Sequence, residues 1–303
     1  MPANEVKVTI IGPTTVTFND YSAGTPVYVL RNTPRLLSTV SLRRTSSPRQ
    51  AEHGVFDSLS FYGERILAFD GEIIGSSQAD RFTKEQLLRS CLSLRGLQAH
   101  DGDDGYRLVQ LTDEDGTLKQ LYAKILDPPM TDVIDNSDPS RRAFAFVMVA
   151  KDPRIYGQTL YSQTGEETFQ GTNFQVIEGV SPKVPFQLYE ITLPTATCNN
   201  AGTFDTPPVI TITGPTTSPK VTNVTTGKYI QLTGLTLAAA ESVIIDVAAG
   251  TIKLATGTDA SSYFSAGSSW IVLVPGQNEI TLLDATPSVV EADLKVEWRD
   301  CWL

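Results

Sequence analysis

The sequence predicts a mainly β protein with one principal α-helix, arranged as an N-terminal β-sheet or barrel-like domain followed by a C-terminal β-sandwich. Three observations predict this. The stretch from Gly54 to Gly96 shows period-two strand patterning and then the chain's strongest helical pattern. Beyond about residue 157 the chain breaks into short β-rich runs at sandwich spacing. Finally, 303 residues exceed what one core usually serves, since single domains much above about 250 residues are unusual.

Within the organising stretch, Leu59 and Phe61 alternate with serines, and Leu67, Phe69 and Ile73 recur at even spacing, the period of one buried sheet face. Gly63 permits a reversal between these two strands. The helix is expected to open at Thr83 as N-cap, with Gln86 completing a capping box and Phe82 and Leu87 forming a hydrophobic staple. Leu87, Leu88, Cys91, Leu92 and Leu94 form its expected apolar face, and Gly96 its C-terminal stop.

Two short strands precede this unit, Val6 to Ile11 and Val27 to Leu30. Between them and Gly54, residues 31–51 carry five arginines (Arg31, Arg35, Arg43, Arg44, Arg49) and no acid. That composition describes a solvated arm or long hairpin, or a docking surface for an acidic partner that could be a second copy of the chain. After the helix, an acidic loop (Asp101, Asp103, Asp104) leads to a hairpin of Leu108 to Thr112 and Leu118 to Leu126, turning at Asp113-Glu114-Asp115-Gly116. The first acidic cluster fails as a calcium loop, because Gly105 occupies the third ligand position and no Glu closes twelve residues. Ala143 to Ala150, AFAFVMVA, is apolar on both faces and reads as a central strand covered on both sides; Lys151-Asp152-Pro153 ends it.

The domain boundary falls near Gly157, giving a first domain of residues 1–157 and a second of 158–303 that begins with a Pro/Thr-rich lead-in. Strands are expected there at Gln187 to Leu193, Val209 to Thr213, Lys220 to Val224, Tyr229 to Leu232, Val243 to Val247, Thr251 to Leu254, Ser269 to Val274, Glu279 to Leu283 and Leu294 to Trp298. Thr226-Gly227 and Ala249-Gly250 are the expected hairpin turns.

Composition narrows function. A net charge of −10 disfavours gripping nucleic acid through its phosphates, which needs clustered Lys and Arg. No run approaches the roughly 20 apolar residues of a membrane span, and the N-terminus lacks the pattern of a secretion signal. Cys91, Cys198 and Cys301 are too few and too scattered for a disulfide scaffold or zinc site. Phosphate-binding loops, nucleophile elbows, His-Glu-x-x-His and dinucleotide fingerprints are all missing from the sequence, and only His53 and His100 are present, each in a polar turn context. No catalytic, metal or cofactor site is therefore assigned. Of Trp270, Trp298 and Trp302, two lie in strand patterns where core packing is the usual fate.

The order of motifs resembles the distal tail proteins of long-tailed, siphovirus-type bacteriophages. The matching features are Gly63-Glu64-Arg65 between two strands, the following helix, and Lys151 to Gly157; then Asn199-Asn200-Ala201-Gly202, Pro207-Pro208, Ile212-Thr213-Gly214-Pro215, Asn223 to Gly227, Ile245-Asp246, Trp270 to Asn278 and Trp298-Arg299-Asp300. The resemblance implies a ring-forming first domain and a galectin-like sandwich. It also implies a hexameric collar in the virion, at the distal end of the tail, made and assembled in the host cytoplasm. Such a collar would contact the tail tube protein, the tail hub or tail-associated protein, and tail fibre or receptor-binding proteins. It would pass DNA through a channel, bind nucleic acid only weakly, insert in no membrane and need no cofactor. Under that reading Arg31, Arg35, Arg43, Arg44 and Arg49 belong to the oligomer interface, while Asp101, Asp103, Asp104, Asp113, Glu114 and Asp115 face the lumen or a neighbour. The competing reading is a carbohydrate-binding adhesin module contacting the bacterial cell wall.

Overall fold

A computed structural model describes residues 6–32, 40–44, 46–48, 53, 55–57, 59–93, 105–112, 116–132, 138–166, 168–172, 188–283 and 292–303. The chain forms two compact units, Met1–Gln158 with Leu303, and Thr159–Trp302. In the first unit the strands are β1 (Val8–Ile11), β2 (Thr15–Phe18), β3 (Tyr28–Asn32), β4 (Leu42–Arg43), β5 (Ser46–Pro48), β6 (Val55–Asp57), β7 (Phe61–Tyr62) and β8 (Arg65–Ile74). Helix α1 (Gln78–Cys91) follows, then β9 (Tyr106–Thr112), β10 (Leu118–Asp132), β11 (Arg141–Ala150) and β12 (Ile155–Gly157).

The main sheet runs β2-β1-β9-β10-β11-β8-β3, all antiparallel, with β12 added alongside β10. It curls until its two end strands almost meet. Asn19 bridges the seam: its N–H donates to Tyr28 O (2.9 Å), its Oδ1 accepts from Leu30 N–H (2.9 Å), and its Nδ2 donates to Val6 O (3.2 Å). The residue is buried and adopts φ +55°, a left-handed conformation that asparagine tolerates better than most side chains. Inside, Phe18, Phe69, Phe144 and Phe146 form an aromatic core, with Phe69 and Phe146 stacked at 4.5 Å. Strand β8 supplies Leu67, Phe69 and Ile73 to it, as period-two patterning predicts.

The helix begins six residues earlier than the sequence suggests. Ser77 is the N-cap, accepting from Asp80 N–H (3.2 Å), while Asp80 Oδ2 reaches back to Ser76 N–H (2.7 Å). Thr83 instead sits inside the helix with its hydroxyl donating to Ala79 O, and Phe82 and Leu87 are exposed, so the expected staple does not form. Leu88, Cys91 and Leu92 do enter the core; Leu94 and Gly96 lie outside the described residues. At the other end Arg107, fully buried, donates to the carbonyls of Cys91 (2.9 Å) and Ser93, placing a cation on the negative end of the helix dipole. Gly12 makes room for it, since a Cβ there would come within 2.7 Å of Arg107 Nε and 2.6 Å of Cys91 O. Tyr28 ties the helix to β3 by donating to Lys84 O (2.8 Å).

Two further expectations for this unit are corrected. Strand β11 is central, between β10 and β8, and its second face is covered only toward one end: Phe144, Phe146 and Met148 are buried on one side, while on the other Val149 is buried, Val147 half-buried and Ala145 exposed. Leu59 and Phe61 do not join a buried face either, because β7 pairs with β4 rather than with the main sheet. Strand β2, whose burial alternates along TVTF, lies between the two strands expected at Val6 to Ile11 and Val27 to Leu30, where no strand is expected.

The second unit contains β13 (Tyr161–Glu166), β14 (Thr168–Thr172), β15 (Leu188–Thr192), β16 (Thr195–Asn200), β17 (Val209–Thr213), β18 (Thr216–Thr217), β19 (Lys220–Asn223), β20 (Lys228–Gln231), β21 (Thr236–Leu237), β22 (Ser242–Asp246), β23 (Thr251–Leu254), β24 (Gly276–Leu283) and β25 (Asp293–Trp298). Sheets β13-β25-β17-β22-β23 and β16-β24-β19-β20 pack face to face. Ile210, Ile212, Val243, Ile245, Leu294 and Val296 from one meet Cys198, Val221, Ile230, Ile280 and Leu282 from the other. Strands β14 and β15 form a separate ribbon. Gly227 (φ +71°) and Gly250 (φ +65°) supply the left-handed turn positions expected of them.

Ser269 to Val274 is not a strand. Apart from one bridge between Leu273 and Thr206 and the Ser269 N–H donating to Tyr229 O (2.9 Å), its backbone is held by buried asparagines. Asn278 accepts from Val274 N–H (3.0 Å) and donates to Val274 O (2.8 Å) and Gly276 O (3.0 Å). Asn223 donates to Val272 O (3.0 Å) and to Asn278 Oδ1 (3.2 Å). Asn200 donates to Phe204 O and Leu273 O and accepts from the amides of Gly202 and Cys301. These three side chains, all 0% exposed, act as a ladder for a strip that has none of its own.

Candidate assembly surface

Two short antiparallel pairs, β4 with β7 and β5 with β6, make a two-stranded arm. Leu42 lies opposite Tyr62 and Arg43 opposite Phe61, and further out Ser46 lies opposite Asp57 and Pro48 opposite Val55. Gly63 N–H donates to Ser41 O (2.6 Å) and closes the base. Of the basic segment, residues 42–43 and 46–48 are the described part that pairs in this way, with residues 61–62 and 55–57. Directly opposed residues share a face, so one side of the ribbon shows Leu42 and Tyr62 and the other Arg43 and Phe61. Both sides are solvated: Leu42 is 64% exposed, Phe61 57%, and Leu59 at the returning base 79%. An unsupported two-stranded ribbon is marginal in water. This one carries an exposed aromatic ring on each side, Tyr62 on one and Phe61 on the other.

The five arginines do not act alike. Arg31 lies on β3 and pairs with Glu72 of β8 (2.7 Å), a carboxylate that Arg141 also approaches (3.7 Å), so its charge is answered within the unit. Arg43 is exposed on the arm and forms no ion pair among the described residues, and Arg44 is exposed beside it. Arg35 and Arg49 lie outside the described residues, as do Asp101, Asp103, Asp104, Asp113, Glu114 and Asp115. His53 is exposed, and no cluster of three His, Cys, Asp or Glu poised for a metal occurs among the described residues.

Sequence reasoning missed a polar knot on the helix. Glu85, buried, accepts from Arg81 Nη1 (2.7 Å), Arg89 Nη2 (3.2 Å) and Thr131 Oγ1 (2.9 Å), tying α1 to the far end of β10. Burial pulls the Glu85 carboxyl upward, but the Thr131 and Arg89 hydrogen bonds and the charges of Arg89 and Arg81 outweigh it and hold the group below the usual range. The i, i+4 spacing of Arg81, Glu85 and Arg89 was the available signal.

Net charge is divided unevenly. The first unit holds 18 basic and 20 acidic residues, net −2; the second holds 6 and 14, net −8. The acidic excess therefore belongs to the sandwich unit rather than to the unit expected to form a ring.

The second unit also carries the recognisable signature, in the segment laced by the asparagine ladder from Asn200 to Cys301. Residues 201–302 match the family described as siphovirus-type tail component, C-terminal domain. No curated protein matches the chain. Among solved structures, the Dit protein of phage SPP1, described as a paradigm of the hub adsorption apparatus in phages infecting Gram-positive hosts, shares 12% identity at a TM-score of 0.59 and covers 98% of this chain and 99% of its own. That likeness shows a common fold along the whole length. Two structures of the phage P2 baseplate in its activated conformation follow, one with Ca (10% identity, TM-score 0.45) and one with Sr (12%, 0.41), each covering 97% of this chain and 98% of their own. The resemblance to the siphovirus-type tail proteins holds.

Proposed function

We propose that this chain is a structural component of a long-tailed bacteriophage tail, a hub or adaptor at the distal end that joins the tail tube to the host-recognition apparatus. The observation that carries the reading is the family match across residues 201–302, in a chain whose whole length shares the fold of the SPP1 hub protein. The exposed apolar arm adds a physical reason for self-association. In the finer form of the proposal, six copies close into a ring around a channel for DNA, with the tail tube protein on one side and tail hub, fibre or receptor-binding proteins on the other. The role is architectural rather than enzymatic. A sugar-binding reading has less support: Trp298 is buried with its indole N–H donating to Asn199 O (3.1 Å), and Trp270 stacks on Phe264 (5.2 Å).

Two measurements test this. Antibodies against the chain should decorate the distal tip of intact tails in electron micrographs; labelling of heads, or no labelling of virions, refutes the reading. The assembled species should have the mass of six 32.9 kDa chains, about 197 kDa. A different closed stoichiometry refutes the hexamer alone.

A further inference from the structure

The outward face of the first unit's sheet breaks the rule that a solvent-facing antiparallel sheet alternates apolar-in with polar-out. On β8, β11 and β10 the positions turned from the core include Ile66, Ala68, Ala145, Val147 and Met130. Register places them side by side: Ala68 lies opposite Val147, which lies opposite Asp127, and in the next row Asp70 lies opposite Ala145, opposite Met130. Ile66 is 54% exposed and Met130 72%, with Ala68 and Ala145 exposed between them. The result is a shallow floor of mostly small apolar side chains, rimmed by two larger ones and carrying two carboxylates, the half-buried Asp70 and the exposed Asp127, which forms no ion pair among the described residues.

We infer that this floor is the seat for the arm of a second copy of the chain. The arm face with Phe61 and Arg43 has the complementary character, an exposed ring beside an exposed cation that forms no ion pair among the described residues. Phe61 lies against Ala68 and Ala145, and Arg43 meets Asp127 of the next copy. Both surfaces are exposed in one chain, so the chain does not cover one with the other, and the base of its own arm is pinned by the Gly63–Ser41 hydrogen bond. Each copy gives one arm and receives one. That head-to-tail contact closes into a ring when the rotation permits. The inference rests on the self-assembling adaptor reading and names the surface through which it assembles.

The test is a charge exchange read by sedimentation velocity. Arg43→Asp and Asp127→Arg each turn an attraction into a like-charge contact and should weaken self-association about tenfold, whereas the double exchange should restore it to within about threefold. Circular dichroism of each variant verifies an unchanged fold, because both positions are exposed. In parallel, Phe61→Cys mixed with Ala145→Cys should form an intermolecular disulfide, with the three native cysteines buried and silent. Wild-type assembly that neither single reversal weakens, or that the double exchange does not restore, overturns the seat and leaves the adaptor reading intact. Wild-type chain that stays monomeric at roughly 100 µM, with no cross-link, also overturns it. The adaptor reading then stands or falls on antibody labelling of tails.

Discussion

Replacing Asn278 by leucine isolates the contribution of the asparagine ladder, because leucine nearly matches the shape and offers no hydrogen bond. The substitution removes the partner of Val274 N–H, of Val274 O and of Gly276 O, and takes one acceptor from Asn223, which keeps Val272 O. Gly276 is exposed and its carbonyl can turn to water, so it adds little. The two Val274 groups are partly buried, and leaving each unsatisfied costs about 1–3 kcal/mol, giving about 2–6 kcal/mol in all. All three tryptophans lie in the second unit, so urea unfolding followed by tryptophan fluorescence reports that unit alone. With a slope of about 2 kcal/mol per molar urea, the midpoint should fall by about 1–3 M. A fall below about 0.3 M would show that the strip of residues 270–276 does not depend on the ladder.

Asn19→Ala should destabilise the first unit by about 2–4 kcal/mol, through two lost side-chain hydrogen bonds at the seam and a φ of +55° that alanine resists. Faster hydrogen exchange at the Leu30 amide than in β8 locates the damage, and uniform protection contradicts it. Asp80 is held down to about 2, chiefly by the Lys84 hydrogen bond and then by Ser76. A lowered carboxyl pKa stabilises the fold fully above the ordinary value of 3.8 and loses that contribution as pH falls from about 4 to about 2. The gap in melting temperature between wild type and Asp80→Asn should therefore be widest at pH 5–6 and close toward pH 2; a constant gap would be inconsistent with this titration. Burial pushes the thiols of Cys91 and Cys198 up to about 11 and about 12, so neither should react with a thiol reagent at pH 8 until urea unfolds the chain. Stoichiometric labelling of the native protein would show the cores more open than described.

Much of the architecture follows from local pattern. The alternation of Leu67, Phe69 and Ile73 places one face of β8 in the core whatever the neighbours are, and the hairpin of β9 and β10 follows from two apolar runs around a glycine-bearing turn. The helix is visible in the sequence, but its start is not. Thr83 and Gln86 imitate a capping box, while the true one, Ser77 with Asp80, precedes the apolar residues by two turns because its first two turns bury Arg81 and Glu85 instead of hydrocarbon. A buried ion pair carries no apolar periodicity, so pattern alone points to the wrong turn.

The candidate assembly surface is half legible in the sequence. The run of arginines without acids marked the arm, yet Arg31 and Arg43 are indistinguishable until register sets Arg31 beside Glu72 and leaves Arg43 on a solvated ribbon. Likewise AFAFVMVA reads as a strand buried on both faces, and only the sheet order shows that Ala145 and Val147 face outward beside Ala68 and Met130. Ser269 to Val274 has the composition of a strand and lacks the neighbour that would make it one.

Short-range chemistry thus determined strand and helix content, the division of the chain into a helix-bearing β unit and a sandwich, and the lack of recognisable catalytic motifs, because each depends on residues a few positions apart. Tertiary structure decided which strands close the sheet through Asn19, which asparagines substitute for a missing strand, and which charges find a partner among the described residues. Those outcomes depend on groups distant in sequence meeting at hydrogen-bond distance, and no local spacing records that.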